Sequence, residues 1–153
     1  MESLHDVTAL VGRILVALIF VLSGLSKVMN MSGTAGYMAQ AGIPAYLVHP
    51  GLYLSIVVEL GCGLLVMAGL QARSAALIIF LWLIPVTFIF HIAGYHQAVQ
   101  QHQAMAALTQ QVMYMKNISM MGGLLLLAAM GPGGFSIDGR SSATGMSAAQ
   151  RAA

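Results

Sequence analysis

Charged residues are scarce in this chain. Its 153 residues include six Lys and Arg and four Asp and Glu, a charged share of 7%, whereas soluble domains carry about 25%. Hydrophobic residues make up 59% of the chain. A soluble monomer of this composition would leave large apolar patches in water and would aggregate. The composition therefore argues against an ordinary soluble domain and favours an integral membrane protein.

Cysteines and runs of basic residues are also lacking. Cys62 is the only cysteine, so the chain can form neither an intramolecular disulfide nor a dithiol redox pair. The net charge is only +2 and no basic run is present, which argues against nucleic acid as a partner. No His or carboxylate spacing indicates a metal site. No cleavage site follows the first apolar run, so we expect no removable signal peptide.

What the chain does have is four long apolar stretches. They cover about residues 7–27, 51–70, 73–91 and 114–130, close to the roughly 20 residues that a spanning helix needs. The runs are too continuous, and the chain too short, for a closed β-barrel. We therefore predict an all-α integral membrane protein. Residues 1–140 form one four-transmembrane-helix bundle, and residues 141–153 form a flexible tail.

Short surface helices are predicted in the two longer connections, which form the outer loops. In the first, Thr34 is a candidate N-cap, and Gly42 followed by Pro44 marks the end of the helix. In the second, residues 93–112 are rich in Gln and His, with apolar residues at helix-like spacing. That pattern predicts an amphipathic helix lying on the membrane. Pro85 predicts a kink in the third span.

The distribution of Lys and Arg predicts the orientation. Arg73, Arg140 and Arg151 belong to the side that carries the termini, whereas Lys27 and Lys116 lie near the opposite side. Because cytoplasmic segments carry an excess of basic residues, we expect both termini in the cytoplasm and the two longer loops outside.

Polar residues inside the spans need an explanation, since a charge at the centre of a bilayer costs about 2.5–3.5 kcal/mol. Counted from the predicted span ends, Glu59 and Arg13 lie at similar depths. We therefore predict an Arg13–Glu59 ion pair inside the bundle, with either a functional or a purely structural role. Arg13, Ala17, Phe20 and Lys27 fall near one face of the first span, which we expect to point inward.

A second polar group is predicted at the outer ends of the spans. Lys27 ends the first span, His91 ends the third, and Lys116 and Asn117 begin the fourth. These side chains around an apolar cleft would suit a quinone head group or a small anion. Alternatively, the two lysines extend to the membrane interface and have no other role. A haem held by His49 and His91 has no attachment motif to support it.

Several segments together resemble a known family. They are VGRILVALIFVLSGLSK, GTAGYMAQAGIP, VELGCGLLVMAGLQAR, FIFH and MKNISMMGGLLLLAAMGPGGFSIDGR. In this order and spacing the chain resembles the DoxX family of small bacterial inner-membrane proteins over residues 10–139. The resemblance implies a four-helix bundle in the bacterial inner membrane. It also implies polar family positions, filled here by Arg13, Lys27, Glu59, Arg73, His91, Lys116 and Asn117.

The family takes its name from a subunit of a thiosulfate:quinone oxidoreductase, and other members are described as partners in membrane redox complexes. The resemblance thus implies a quinone-linked subunit of an oxidoreductase complex. No intrinsic cofactor is expected, and a quinone is the favoured ligand. Catalytic residues, and any enzymatic activity of the chain alone, are left open. The candidate ligand-binding residues are Arg13, Lys27, Glu59, His91, Lys116 and Asn117.

Two other functions fit the sequence. One is a non-catalytic subunit that anchors or assembles a larger complex. The other is a small carrier or channel, although four helices leave little room for a path and no inverted repeat is visible. In each case the expected partners are the lipid bilayer and other membrane or periplasmic subunits, with a homo-oligomer as a further option.

Overall fold

The computed structural model describes residues 2–140, and in that range every regular element is helical. The predicted tail over residues 141–153, with Arg151, lies outside the described residues. The helices are α1 (Glu2–Met29), α2 (Met31–Gln40), α3 (Ala45–Ala68), α4 (Ala72–Gln100) and α5 (Ala104–Met130), and residues 137–140 are also helical. Helices α3 and α4 each contain one π-helical segment, Val57–Cys62 in α3 and Thr87–Ile92 in α4.

Four of these helices, α1, α3, α4 and α5, are long and apolar enough to cross a bilayer. The predicted all-α membrane fold with four spans is therefore confirmed. The helices are longer than the apolar stretches, because α3 begins at Ala45 and α5 at Ala104. Hydropathy marks the part of a helix that lipid surrounds, whereas backbone hydrogen bonding continues into more polar sequence.

The first connection contains the predicted short helix, α2. Its N-cap is Asn30 and not Thr34, because the Asn30 side chain accepts a hydrogen bond of 3.1 Å from the amide of Gly33. Gly42, with φ of +84°, follows the helix as predicted. This left-handed conformation favours glycine.

The predicted separate surface helix over residues 93–112 is wrong. Residues 93–100 continue α4, residues 101–103 form a turn, and α5 begins at Ala104. Ala98 and Ala107 are buried where these two helix ends pack together. An amphipathic pattern is the same whether the apolar side meets lipid or a neighbouring helix, so the sequence alone did not distinguish the two arrangements.

The bundle has two ends, which we name by their contents. The tail end carries the start of α1, the turn between α3 and α4, and residues 131–140; the hairpin end carries α2 and the turn between α4 and α5. The tail half is densely packed around Ala17, Val66, Ile79 and Leu124, each 0% exposed. The hairpin half contains a cavity.

The level of α1 against α3 is set by a close contact at Gly24. A Cβ atom on Gly24 would lie 2.7 Å from both the Cβ and the backbone nitrogen of Leu60. Only glycine permits this approach, which resembles the small-residue packing common between membrane helices. As a result, the end of α1 lies beside the π-helical segment of α3.

Candidate functional site

A cavity of about 860 Å³ lies in the hairpin half, between the four spans and α2. Five of the six predicted site residues line it, although they come from four different helices. They are Lys27, Glu59, His91, Lys116 and Asn117. Their binding role stays a prediction, but the structure does bring them around one space. The sixth, Arg13, lies elsewhere.

Glu59 is the centre of the polar end of this cavity. Its Oε2 accepts a hydrogen bond from Lys27 Nζ at 2.5 Å, and its Oε1 accepts one from Ser55 Oγ at 2.9 Å. The indole Nε1 of Trp82 donates to the same Oε1 at 3.4 Å. Lys27 Nζ also donates to Ser23 Oγ at 2.7 Å. Lys27 therefore does not extend to the membrane interface, and the interfacial interpretation is wrong for this residue.

The predicted Arg13–Glu59 pair is also wrong. Since Gly24 packs against Leu60, Glu59 lies near the level of Gly24 on α1. Arg13 lies 11 residues before Gly24, about 16 Å along the helix. The prediction aligned the two helices by the ends of their apolar stretches, whereas the contact between Gly24 and Leu60 sets their relative height. In addition, side chains on a helix lean toward its N-terminus, which carries the Lys27 amine toward Glu59.

Arg13 instead helps to close the tail end. Its Nη1 donates to the carbonyl oxygen of Pro132 and its Nη2 to that of Phe135, both at 2.8 Å. The carboxylate of Asp138 accepts hydrogen bonds from the amides of Gln71 and Ala72, at 3.0 and 3.1 Å. These bonds hold residues 131–140 across the tail end and satisfy amides at the start of α4.

Lys116 differs from Lys27 in its partners. Its hydrogen bond goes to the thioether sulfur of Met113 at 3.4 Å, and thioethers are weak acceptors. Among the described residues, Glu59 forms its salt bridge with Lys27 and not with Lys116. Lys116 still lies close enough to interact electrostatically with both of these residues. The polar end of the cavity therefore holds two ammonium groups and one carboxylate.

Both π-helical segments carry a site residue. Glu59 lies in Val57–Cys62 and His91 in Thr87–Ile92. Such segments interrupt regular α-helices and occur often at functional sites. Pro85 precedes the second segment and removes one helical donor there. The sequence contains no comparable signal for the first, and neither segment was predicted.

His91 and Asn117 are each held by a neighbour. His91 Nδ1 lies 2.9 Å from Gln110 Oε1. Because that amide oxygen can only accept, Nδ1 is the donor in this contact. Asn117 Nδ2 donates to Thr87 Oγ1 at 3.0 Å, and Thr87 Oγ1 donates to the carbonyl oxygen of Leu83 at 2.6 Å.

Sequence reasoning missed three groups around Glu59 and His91. Ser23 precedes Lys27 by four residues, a spacing that places both on one helix face, so this contact had a detectable signal. Trp82 and Gln110 had none, because their positions depend on how α4 packs against α3 and α5.

Comparison with known proteins gives a consistent family assignment. The DoxX family model matches residues 8–92. The chain is 36% identical to the inner membrane protein YqjF of Escherichia coli over 138 residues, 90% of this chain and 95% of the relative. It is 31% identical to the inner membrane protein YphA of the same organism, over 89% of this chain and 91% of the relative.

A third relative carries a chemical name. It is "Putative oxidoreductase CatD" of Bacillus subtilis, 31% identical over 84 residues, which cover 55% of this chain and 60% of the relative. No solved structure matches the chain significantly.

Proposed function

This chain belongs to the DoxX family, and we propose that it is a quinone-binding membrane subunit of an oxidoreductase complex. The observation that carries the proposal is the polar group formed by Lys27, Glu59 and Lys116 at the buried end of a cavity inside membrane-spanning helices. Quinones dissolve in the bilayer and present carbonyl oxygens that accept hydrogen bonds. A mostly apolar cavity with a few convergent polar groups is the usual form of such a site.

The residues fit this ligand. Glu59 and Lys27 neutralise each other, so neither needs a ligand for charge balance. Within residues 2–140, the Lys116 ammonium donates only to a weak acceptor, which leaves its other protons for a ligand oxygen. Asn117 and His91 line the same space. A bound quinone would supply the capacity to exchange electrons and protons, and the protein supplies the donors that orient its head group.

Electrons have to come from a partner under this proposal. Cys62 is the only cysteine, so the chain has no dithiol pair to receive them. The name of the Bacillus subtilis relative supports a role for this chain in an oxidoreductase complex. We therefore propose that this chain holds the quinone while another subunit supplies the redox group that reacts with it.

The test is to purify the protein in a mild detergent and quantify bound quinone and co-purifying proteins by mass spectrometry. We expect about one quinone per chain in the wild type. Lys116→Gln should weaken quinone binding about tenfold, the scale expected for losing one hydrogen bond from a charged group. Glu59→Gln should also weaken it, because it removes the carboxylate that holds the Lys27 ammonium in place.

Ser119→Ala is the matched control. Ser119 lies on α5 two residues from Asn117 and is exposed, and its hydroxyl donates to the backbone carbonyl oxygen of Met115 in the same helix. Its removal should not change quinone occupancy. Full quinone occupancy in all three variants would contradict the proposal. Variants that assemble poorly with a partner but keep their quinone would support an anchoring subunit, and solute transport by the purified protein would support a carrier.

A further inference from the structure

The rim of the cavity has two different sectors. A polar sector lies where α1 ends and α2 begins, and it includes Ser26 and Asn30. An apolar sector is formed by side chains of α2, α3 and α4 that line the cavity and are between 43% and 51% exposed. These residues are Tyr37, Leu47, Leu54 and Ile89.

The distribution of polarity is the reverse of that in a water-filled vestibule. The charged and amide groups lie at the buried end, where Glu59 is 7% and Asn117 3% exposed, whereas hydrocarbon lies at the mouth. In a helix surrounded by lipid, an exposed leucine meets acyl chains and has no need to be covered by protein. The apolar sector therefore opens toward the bilayer.

Packing keeps the apolar sector in place. The ring of Tyr37 stacks on that of Phe90, with centroids 5.6 Å apart and an angle of 21° between the planes. This contact joins α2 to the π-helical segment of α4. Leu47 and Leu54 are seven residues apart in α3 and so share one helix face. The apolar sector is therefore a packed surface at the edge of the cavity, in which α2 is held against α4.

We propose that the occupant of this cavity is a quinone with a hydrocarbon chain, and that the chain leaves sideways into the bilayer across Tyr37, Leu47, Leu54 and Ile89. This inference rests on the proposed function for the head group and adds the chain and its direction. The volume of about 860 Å³ is near the upper end of the range for ligand pockets, so it holds more than one aromatic ring.

Trp82 provides the measurement. It is the only tryptophan in the chain, it lines the cavity and it contacts Glu59, so its fluorescence reports occupancy by a quenching quinone. We would titrate the protein in lipid nanodiscs with two quinones that share a head group, one without a side chain and one with a decyl chain. Concentrations are expressed per bilayer lipid, which removes the difference in partitioning.

We expect Leu47→Gln and Leu54→Gln each to weaken binding of the decyl quinone about fivefold, because each places a polar amide where the hydrocarbon chain crosses the rim. The same changes should leave the quinone without a chain unaffected. Leu22→Gln is the control, because Leu22 is 55% exposed on α1 and does not line the cavity. If Leu47→Gln and Leu54→Gln do not fold, Leu47→Ala and Leu54→Ala replace them as rim variants.

The outcomes separate this inference from the proposed function. If both quinones quench Trp82 but the rim variants change neither, or change both equally, the sideways exit of the chain is wrong and the proposed function stands. If neither quinone quenches Trp82, both are wrong. If an increased share of anionic phospholipid displaces the decyl quinone, the occupant is a membrane lipid and the inference is overturned.

Discussion

At the scale of single residues, the main feature is a salt bridge in the cavity between two residues of different helices, Lys27 and Glu59. Lys27 comes from the end of α1 and Glu59 from the middle of α3, with side-chain exposures of 21% and 9%. Each alone would be a costly charge among apolar helices. Together they are neutral, and Ser23, Ser55 and Trp82 each form a further hydrogen bond with the pair.

The first prediction concerns this pair. Removing one partner of a buried ion pair costs about 3–5 kcal/mol, whereas replacing both is often close to neutral. We therefore expect Lys27→Met to lower the free energy of unfolding by about 3 kcal/mol. The double variant Lys27→Met/Glu59→Met should recover most of that loss. Unfolding in mixed detergent micelles, followed by Trp82 fluorescence, measures both. A single variant as stable as the wild type would show that the pair does not hold the helices together.

The charged residues inside the spans could be identified from the sequence, but which of them form a salt bridge could not. Intramembrane polar residues are rare, so Arg13, Lys27 and Glu59 were conspicuous in a chain with 7% charge. Choosing which cation meets Glu59 required the relative height of two helices. Arg13 and Lys27 are 14 residues apart, about 21 Å along α1, and the sequence does not show that Gly24 packs against Leu60, the contact that sets this height.

At the scale of helices, the contact between Gly24 and Leu60 aligns α1 with α3. It brings Lys27 to the level of Glu59, so the salt bridge depends on the absence of a side chain at residue 24. Three other glycines in membrane-spanning helices, Gly12, Gly61 and Gly122, have no atom within 4 Å of where a Cβ would lie. Helical glycines with and without a packing role can therefore be compared within one bundle.

The second prediction uses that comparison. In Gly24→Ala the new methyl group meets the Leu60 backbone at 2.7 Å, so α1 and α3 have to separate. We expect a loss of about 1–3 kcal/mol, the usual cost of overpacking. Gly12→Ala should be neutral or should stabilise the protein by about 0.5–1 kcal/mol, because alanine favours helix more than glycine does. Thermal unfolding of both variants in the same detergent is the measurement. Equal effects at the two positions would contradict the assigned contact.

The number and type of the spans could be predicted, whereas several details of the helices could not. Four apolar runs in a chain of this length allow few alternatives. The π-helical segment around Glu59 has no sequence signal, and the one around His91 has only Pro85. The course of residues 93–112 was predicted wrongly, because the amphipathic pattern does not say which surface covers the apolar face.

At the scale of the whole molecule, the bundle is asymmetric along its length. The tail half is filled by apolar side chains and covered by residues 131–140, which Arg13 and Asp138 hold in place. The hairpin half contains the cavity and its polar group. A ligand therefore enters from the hairpin half or from the adjacent lipid.

The structure also changes the basis for predicting orientation. Lys27 and Lys116 line the cavity, so they are not basic residues flanking the hairpin end in the sense of the positive-inside rule. Arg73 and Arg140 lie at the tail end, where Arg73 donates to the carbonyl oxygens of Ala128 and Ala129. The difference in basic residues between the two ends is therefore larger than the sequence count suggested, and it favours a cytoplasmic tail end.

The third prediction is that the hairpin end faces the periplasm. In a Cys62→Ser background, a single cysteine is placed at the exposed residue Gln100 of the hairpin end or at the exposed residue Ser74 of the tail end. A maleimide that cannot cross the inner membrane should label Gln100→Cys in cells with a permeabilised outer membrane. It should label Ser74→Cys only after the inner membrane is broken. The opposite pattern would invert the topology and would place the polar sector of the cavity rim on the cytoplasmic side.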